Sequence, residues 1–186
     1  MGWKEAGDIV APEESRLSNF SGQTFGIDST FWFQRYYHGV VKNQFSSQTM
    51  KISGRYNFSQ ALSLLISLPD LLRHDITPVF YFDPMNTNEY ERADASIPFL
   101  ENLPTHSNCD KQFQYLQRPT ELLLKYLDIS YSEAPQYAEA DASIDARDGK
   151  IDIVVSRDYD TLLFSAPTIL RKIYDNPWEK ISLRKT

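Results

Sequence analysis

The stretch Ile151-Asp152-Ile153-Val154-Val155-Ser156-Arg157-Asp158 is a short apolar run that ends on an aspartate, and Asp160 follows two residues later. Two earlier runs, Thr24-Phe25-Gly26-Ile27-Asp28 and Pro78-Val79-Phe80-Tyr81-Phe82-Asp83, have the same form. Short runs rich in β-branched and aromatic residues predict buried strands. Because ligands bind just outside the carboxyl ends of parallel strands, the three runs together predict one acidic pocket at a single edge of a sheet.

An aspartate that follows a strand also has a plainer interpretation, since Asp is a favoured N-cap of the helix that comes next. Helix capping on its own would explain any one of the three junctions. It does not explain why Asp158 and Asp160 occur together at the third junction. The arrangement as a whole therefore favours an acidic pocket over three unrelated caps.

Segments with helical and strand-like patterns alternate along the chain. Helices are predicted over residues 31–37, 57–73, 119–127 and 136–147, and strands over 24–28, 77–83, 129–132 and 151–156. The apolar face of the second helix is assigned to Leu62, Leu65, Ile66 and Leu72, and Pro69 is expected to break or kink that helix. The alternation predicts the α/β class: one three-layer domain over residues 1–186, with a mostly parallel central sheet flanked by helices.

Composition excludes several classes of protein. The chain has 186 residues, and no apolar run approaches the roughly 20 residues of a membrane-spanning helix, so no membrane partner is expected. The single cysteine, Cys109, excludes an internal disulfide and fits a reducing compartment. We therefore expect an intracellular protein, located in the cytoplasm or nucleoid, or in the nucleus if the source is eukaryotic.

The net charge of −6 is unevenly distributed. Residues 29–69 contain no Asp or Glu, whereas residues 133–160 contain eight acids and three bases. A basic segment suits phosphate contacts and an acidic segment suits cation binding, although the basic segment is equally typical of a solvated helix face. The candidate nucleic-acid-binding residues from the basic segment are Arg35, Lys42, Lys51 and Arg55.

Six acids are candidates for catalysis and metal binding: Asp28, Asp83, Glu139, Asp141, Asp158 and Asp160. Six carboxylates close together raise one another's pKa unless a counter-charge is present. Their hard oxygens suit Mg²⁺, with Mn²⁺ as a substitute, and two such ions about 4 Å apart support phosphodiester hydrolysis. The i, i+2 spacing of Glu139 and Asp141 separates them on a regular helix, so they converge only if Glu139 lies at or before the first turn.

Five segments of the chain carry a resemblance to a known family. They are residues 1–2 with 7–10, residues 25–28, residues 76–83, residues 127–142 and, most specifically, residues 156–167. In this order they resemble the flap endonuclease (XPG-like) 5′ nucleases, most of all the archaeal flap endonucleases. The resemblance implies a PIN-like fold and Mg²⁺-dependent cleavage of DNA with a 5′ flap or a free 5′ end. It also implies that the six acids are metal ligands and that Gly2 lies near the active site and the nucleic acid.

The internal acids of that family allow two registers here. The archaeal and eukaryotic pattern places them on Tyr137 and Glu139, and the bacterial and phage pattern places them on Glu139 and Asp141. Glu139 is common to both registers. Which of Tyr137 and Asp141 occupies the second position stays open.

Two further features depart from the family's pattern. Pro84 follows the second strand, and residues 84–118 are predicted to form an irregular segment in place of a basic helical arch. The downstream helix-three-turn-helix module would lie beyond Thr186 and is expected to be lacking, in a naturally reduced protein or in a fragment. The leading interpretation is a structure-specific 5′ nuclease for branched DNA, with a protein partner as one source of further DNA grip. A PIN-type ribonuclease and a non-catalytic XPG-like interaction module are the alternatives.

Overall fold

Alternating strands and helices make up the part of the chain that the computed structural model describes, namely residues 13–36, 51–52, 56–57, 59–84, 117–172 and 178–182. The strands are β1 (Glu13–Ser15), β2 (Thr24–Asp28), β3 (Lys51–Ile52), β4 (Tyr56–Asn57), β5 (Thr77–Phe82), β6 (Tyr131–Glu133), β7 (Ile153–Val155), β8 (Thr168–Lys172) and β9 (Trp178–Ser182). The helices are α1 (Ser29–Tyr36), α2 (Ser59–Arg73), α3 (Gln117–Tyr126), α4 (Ala138–Arg147) and α5 (Asp160–Leu163), with a 3₁₀ turn at Leu17–Phe20.

Seven of these strands form one sheet in the order β1-β9-β8-β7-β2-β5-β6. The five neighbours from β8 to β6 pair in parallel, and β9 pairs antiparallel with both β8 and β1. β3 and β4 form a separate antiparallel pair. Parallel neighbours need crossover connections, and the predicted helices supply them. The predicted α/β class with a mostly parallel central sheet is confirmed.

Helices cover both faces of the sheet. Alternate residues of β2, β5 and β7, among them Ile27, Phe80 and Val155, pack with α1, α2 and α3 in one buried cluster. The residues between them, such as Tyr81 and Val154, pack with α4 and α5 in a second cluster. This period-two pattern is what strands buried on both sides require. The three layers predicted from the sequence are therefore present.

Helix α4 lies close to the sheet because small residues meet at the contact. Ala138, Ala142 and Ala146 repeat every four residues along α4 and are buried. Gly26 of β2 faces this stripe, and a Cβ atom at Gly26 would collide with the Ile151 side chain and stand 3.5 Å from Cβ of Ala142. The close approach brings the first turn of α4 down to the carboxyl ends of the strands.

The buried face of helix α2 differs from the predicted one. Leu64, Leu68 and Leu71 are buried, whereas Leu65 and Leu72 are 50% and 56% exposed. The reason is a hydroxyl inside the contact with α1 that apolar periodicity does not detect. The Oγ atom of Ser67 accepts a hydrogen bond from Trp32 Nε1 at 2.8 Å and donates one to the Leu64 carbonyl at 3.1 Å.

Pro69 is expected from the sequence to break or kink helix α2, and it does not break it, since the helix continues to Arg73. Pro69 is exposed. The carbonyl that it leaves without an i+4 donor belongs to Leu65, which also lies on the exposed side. Water can therefore satisfy this carbonyl, and the helix is not forced to end.

The predicted irregular segment at 84–118 lies mostly outside the described residues. Its last two residues, Gln117 and Arg118, are helical and open α3. The single domain over residues 1–186 likewise stays a prediction. Among the helices of the described ranges, none has the length and apolar character that crossing a lipid bilayer demands.

Candidate active site

The six predicted acids lie where parallel strands end or where the next helix begins, and Asp141 shares the first turn of α4 with Glu139. Asp28 is the last residue of β2, Asp83 follows β5, Asp158 lies three residues after β7, Asp160 opens α5, and Glu139 lies in the first turn of α4. β7, β2 and β5 are adjacent in the sheet, and all five acids are partly buried. We call these five residues the acid edge.

Asp28 is both a helix cap and a member of the acid edge. Its Oδ1 accepts a hydrogen bond at 3.1 Å from the backbone N–H of Phe31, the third residue of α1, as an N-cap does. Its Oδ2 accepts one at 3.1 Å from the hydroxyl of Ser156, just after β7. The capping interpretation and the pocket interpretation of this aspartate are therefore compatible.

Asp83 links two helices across the ends of the strands. Its Oδ2 accepts a hydrogen bond from the Thr30 hydroxyl of α1 at 3.2 Å. Its Oδ1 accepts one from the backbone N–H of Ala138, the first residue of α4, at 3.0 Å. A carboxylate at a helix N-terminus is favoured by the helix dipole. Asp83 therefore anchors the turn that carries Glu139.

The loop from Ser156 to Asp160 is held by polar contacts between near neighbours. The backbone N–H of Asp158 donates to Ser156 Oγ at 3.2 Å, and that of Asp160 donates to Asp158 Oδ1 at 3.1 Å. The Thr161 hydroxyl donates to the Asp158 carbonyl. Ser156 is almost fully buried and also donates to Asp28, so one hydroxyl connects two of the acid motifs.

The carboxylates of the acid edge perturb one another. Burial, together with the charges of Asp83 and Glu139, raises the pKa of Asp28 from 3.8 to about 7, against the lowering effect of its hydrogen bonds. Burial also raises the pKa of Glu139, as do the charges of Asp83, Asp158 and Asp160. Mutual charge repulsion in a partly buried site shifts pKa values in this direction. These couplings connect all five acids into one negatively charged centre.

Asp141 is the predicted acid that is not counted in the acid edge. Burial and Asp145 raise the pKa of Tyr81, the hydrogen bond to Asp145 raises that of Lys150, and the charge of Asp141 adds to both shifts. Helical geometry begins at Ala138, and Asp141 already makes a helical hydrogen bond to the Tyr137 carbonyl at 3.2 Å. Glu139 thus lies in the first turn, but residues two apart on a regular helix do not face the same side, and the charges that act on Glu139 are those of Asp83, Asp158 and Asp160.

Tyr137, the other candidate for the second internal position, is the N-cap of α4 and is 57% exposed. It brings no carboxylate to the acid edge. The position that both registers share, Glu139, is the one that joins the other acids.

The donor chemistry of the acid edge fits a hard divalent cation. Carboxylate oxygens are the ligands that Mg²⁺ and Mn²⁺ prefer, and a cation would offset the charge that raises the pKa of Asp28 and Glu139. Within the described ranges, however, no three His, Cys, Asp or Glu side chains are arranged to hold a metal ion. Both oxygens of Asp28 and of Asp83 bind protein donors, although each carboxylate oxygen keeps a second lone pair.

Two of the candidate nucleic-acid-binding residues lie within the described part of the chain. Arg35 lies in the last turn of α1 and is partly buried, and Lys51 belongs to β3. Gly2, Lys42 and Arg55 lie outside the described residues. A nucleic-acid-binding role for this set stays a prediction.

Sequence reasoning missed two hydroxyl residues that orient the acids, Thr30 and Ser156. Both lie two residues from an acid motif, Thr30 after Asp28 and Ser156 before Asp158. A hydroxyl at that spacing can reach the neighbouring carboxylates, and this spacing is the sequence feature from which both residues could have been identified. The partner of Thr30 is Asp83, however, which only the pairing of β2 with β5 brings close.

Comparison with known proteins points to one family. Residues 128–185, which include Glu139, Asp158 and Asp160, match the family model of the XPG I-region. Flap endonuclease 1 of Haloarcula marismortui is 27% identical, over 93% of this chain and 58% of that protein. Flap endonuclease 1 of Haloquadratum walsbyi is 30% identical, again over 93% and 58%. The chain thus spans little more than half the length of these relatives.

Solved structures agree with the fold. Flap endonuclease-1 from Methanococcus jannaschii superposes with a TM-score of 0.69 at 22% identity, over 95% of this chain and 62% of that one. Human GEN1 in complex with Holliday junction DNA superposes with a TM-score of 0.70 at 18% identity, over 97% and 44%. The PIN-like α/β fold expected from the motifs is therefore confirmed. Family model, relatives and fold together confirm the resemblance to the XPG-like flap endonucleases.

Proposed function

We propose that this chain is the nuclease domain of an XPG-like enzyme that hydrolyses phosphodiester bonds in DNA with a 5′ flap or a free 5′ end, using divalent metal ions. The observation that carries the proposal is the acid edge, where burial and the charges of Asp83 and Glu139 raise the pKa of Asp28 to about 7. Negative charge gathered at the end of a parallel sheet is what a cation-dependent site needs.

The proposed metal ligands are the members of the acid edge: Asp28, Asp83, Glu139, Asp158 and Asp160. Asp141 is left out of this set because residues two apart on a regular helix do not face the same side, and Glu139 is the one coupled to Asp83, Asp158 and Asp160. Divalent ions, Mg²⁺ or Mn²⁺ in its place, supply positive charge that stabilises the attacking and leaving oxygens of a phosphodiester.

The chain's own residues orient the carboxylates for this role. Ser156 holds Asp28 through its hydroxyl and the Asp158 backbone through its oxygen. Thr30 and the first N–H of α4 hold Asp83. Partners of this kind, which orient ligands without binding the metal, usually tune metal affinity by about 10- to 100-fold.

The names of similar proteins support the substrate class. Relatives at 27–30% identity are flap endonucleases, and a protein of the same fold was solved with Holliday junction DNA. The proposed partner is therefore branched DNA. Because the chain spans little more than half of those relatives, a protein partner that adds DNA grip belongs to the proposal, as does an intracellular site of action.

One observation favours a second candidate, a non-catalytic XPG-like interaction module. No three potential ligands within the described part of the chain are positioned to hold an ion. Metal binding separates the two candidates, since a nuclease must bind Mn²⁺ at neutral pH. Calorimetric titration of the chain with Mn²⁺ should give binding that Asp158→Asn weakens, and an absence of heat would favour the module.

Cleavage of a labelled 5′-flap DNA is the direct test. We expect cutting near the junction that requires Mg²⁺ or Mn²⁺ and is lost in Asp158→Asn. Asp148→Asn is the matched control, because it makes the same substitution at an exposed ion pair with Arg147. Metal binding without cutting of flap DNA or of a matched RNA would count against the proposed nuclease.

A further inference from the structure

The side chain of Arg171 reaches from β8 to the loop that carries Asp158 and Asp160. Its Nε donates a hydrogen bond to the backbone carbonyl of Arg157 at 2.8 Å. Its Cζ lies 3.9 Å from the centroid of the Tyr159 ring, at the distance of a cation–π contact. One guanidinium therefore holds the residues on both sides of Asp158.

The sheet brings Arg171 to this position. β8 pairs in parallel with β7, and Leu170 lies opposite Val155, so Arg171 is level with the point where β7 ends. Leu170 is buried in the cluster under α1 and α2. Because successive side chains of a strand alternate, Arg171 points to the other face, where Tyr159 packs against the cluster of α4 and α5.

The loop from Ser156 to Asp160 carries two like charges, and a contact from outside the loop helps to hold them in place. Two carboxylates two residues apart repel each other, and both join the centre that raises the pKa of Glu139. Asp158 and Asp160 are bonded to near neighbours in the chain. Arg171 adds a contact from a different strand, which ties the loop to the sheet.

We propose that Arg171 is a positioning residue: it fixes the loop of Asp158 and Asp160, and thereby the geometry of the acid edge. Its consequence for catalysis rests on the proposed function, but the contact itself does not. Arginine suits the role because its planar guanidinium stacks on a ring while Nε donates. Lysine keeps the charge but cannot make both contacts, so Arg171→Lys separates positioning from charge.

Amide hydrogen exchange tests the contact without reference to activity. In Arg171→Lys, peptides that cover residues 157–164 should exchange at least about tenfold faster, while peptides from β2 and β5 keep wild-type protection. Arg147→Lys is the matched control, since it removes an Nε donor from an exposed ion pair with Asp148. Unchanged exchange in the loop would overturn the proposal, and so would uniformly faster exchange, which indicates a general loss of stability.

Cleavage kinetics test the consequence. On 5′-flap DNA, Arg171→Lys should lower kcat by about 10²-fold with KM and salt dependence unchanged, because misplacing a catalytic group acts on the chemical step. A raised KM with a shallower salt dependence would instead indicate a direct phosphate contact and overturn the proposal.

A double-mutant cycle identifies the route of action. Combined with Tyr159→Leu, Arg171→Lys should have a clearly smaller effect than it has alone, since the two side chains share one contact. Strictly additive effects would contradict positioning through Tyr159. If the wild-type chain cleaves nothing, the proposed function fails, and the exchange experiment still decides the role of Arg171.

Discussion

Helix α4 carries two partly buried acids six residues apart whose surroundings are opposite. Glu139 lies at the first turn, and burial together with the charges of Asp83, Asp158 and Asp160 raises its pKa. Asp145, nearer the other end, accepts hydrogen bonds from Lys150 Nζ at 2.6 Å and from the Tyr81 hydroxyl at 2.8 Å.

The difference separates a carboxylate that is paired with a lysine within the chain from one that is surrounded by other acids. Burial and Asp145 raise the pKa of Tyr81, so its hydroxyl stays protonated and keeps donating. Asp145 is thus compensated within the chain. Ser156 and Thr30, which donate to the acid edge, are neutral, and the proposed function assigns a divalent cation to this centre.

The largest expected effect is on cleavage activity, when one charge is removed from the acid edge and, separately, one from the compensated region around Asp145. Asp158→Asn should lower cleavage of 5′-flap DNA by about 10³-fold, a loss typical of removing one group that stabilises the transition state. Asp145→Asn should leave kcat unchanged and lower stability by about 1 kcal/mol, because it weakens one compensated contact. Single-turnover cleavage and thermal melts measure both. Equal losses of activity in the two variants would break the comparison.

A second effect concerns the pH dependence of stability without metal. The pKa of Asp28 is about 7 in the folded protein against an ordinary value of 3.8, so between these pH values the folded state binds the proton more tightly than the unfolded chain does. The contribution of protonated Asp28 to the free energy of unfolding is fully present below pH 4 and is lost as pH rises through 7. The loss amounts to at most about 4 kcal/mol.

Asp28→Asn should abolish the decrease in stability that ionisation of Asp28 causes. With a chelator present to remove metal ions, the variant should therefore become more stable relative to wild type as pH rises from 5 to 8. Urea unfolding at several pH values gives the difference directly. Asp148→Asn, at an exposed ion pair, serves as the control. If the difference in free energy of unfolding between variant and wild type stays constant with pH, the pKa of Asp28 is not raised in the folded protein.

A third, smaller effect comes from the hydroxyl that joins two acid motifs. Ser156→Ala should cost about 1–2 kcal/mol of stability and weaken Mn²⁺ binding about 10-fold or more. Ser67→Ala also removes a buried, hydrogen-bonded hydroxyl, but from the contact of α1 with α2. It should cost similar stability with no change in Mn²⁺ affinity. Calorimetric titration distinguishes the two, and parallel losses of affinity would assign Ser156 a purely structural role.

The smallest effect should be that of Tyr81→Phe. This change removes one hydroxyl from the compensated region and leaves the ring in place, so we expect a loss of about 1 kcal/mol. Lys150 still pairs with Asp145, and the acid edge is untouched. Cleavage and Mn²⁺ binding should match wild type. A change in either would mean that the two regions of α4 are coupled.

The acid edge was predictable because local patterns determine it. Strands that end on Asp28 and Asp83, and the pair Asp158 and Asp160, place carboxylates at one edge whenever the sheet is parallel. The helices and strands follow from the same apolar periodicity. Their ends moved by a few residues; α4, for example, begins at Ala138 rather than two residues earlier.

What the sequence did not reveal depends on contacts between distant residues. The hydrogen bond by which Asp145 is compensated comes from Tyr81, which lies more than 55 residues away in the sequence. Ser67 looks like an exposed helix position until Trp32 is found to donate to it. Arg171 reads as part of a basic tail, and its contact with Tyr159 exists only because β8 pairs with β7.

The strand order also governs when the acid edge can exist. β1 pairs with β9, so Glu13 lies opposite Lys180, and Ser156 bonds Asp28 across 128 positions of sequence. Contacts between such distant segments form late in folding, because long loops must close first. Repulsion among the acids therefore arises only when the sheet is nearly complete. A growing or half-folded chain would carry every proposed ligand and still have no assembled centre, so the proposed activity would begin only when folding is complete.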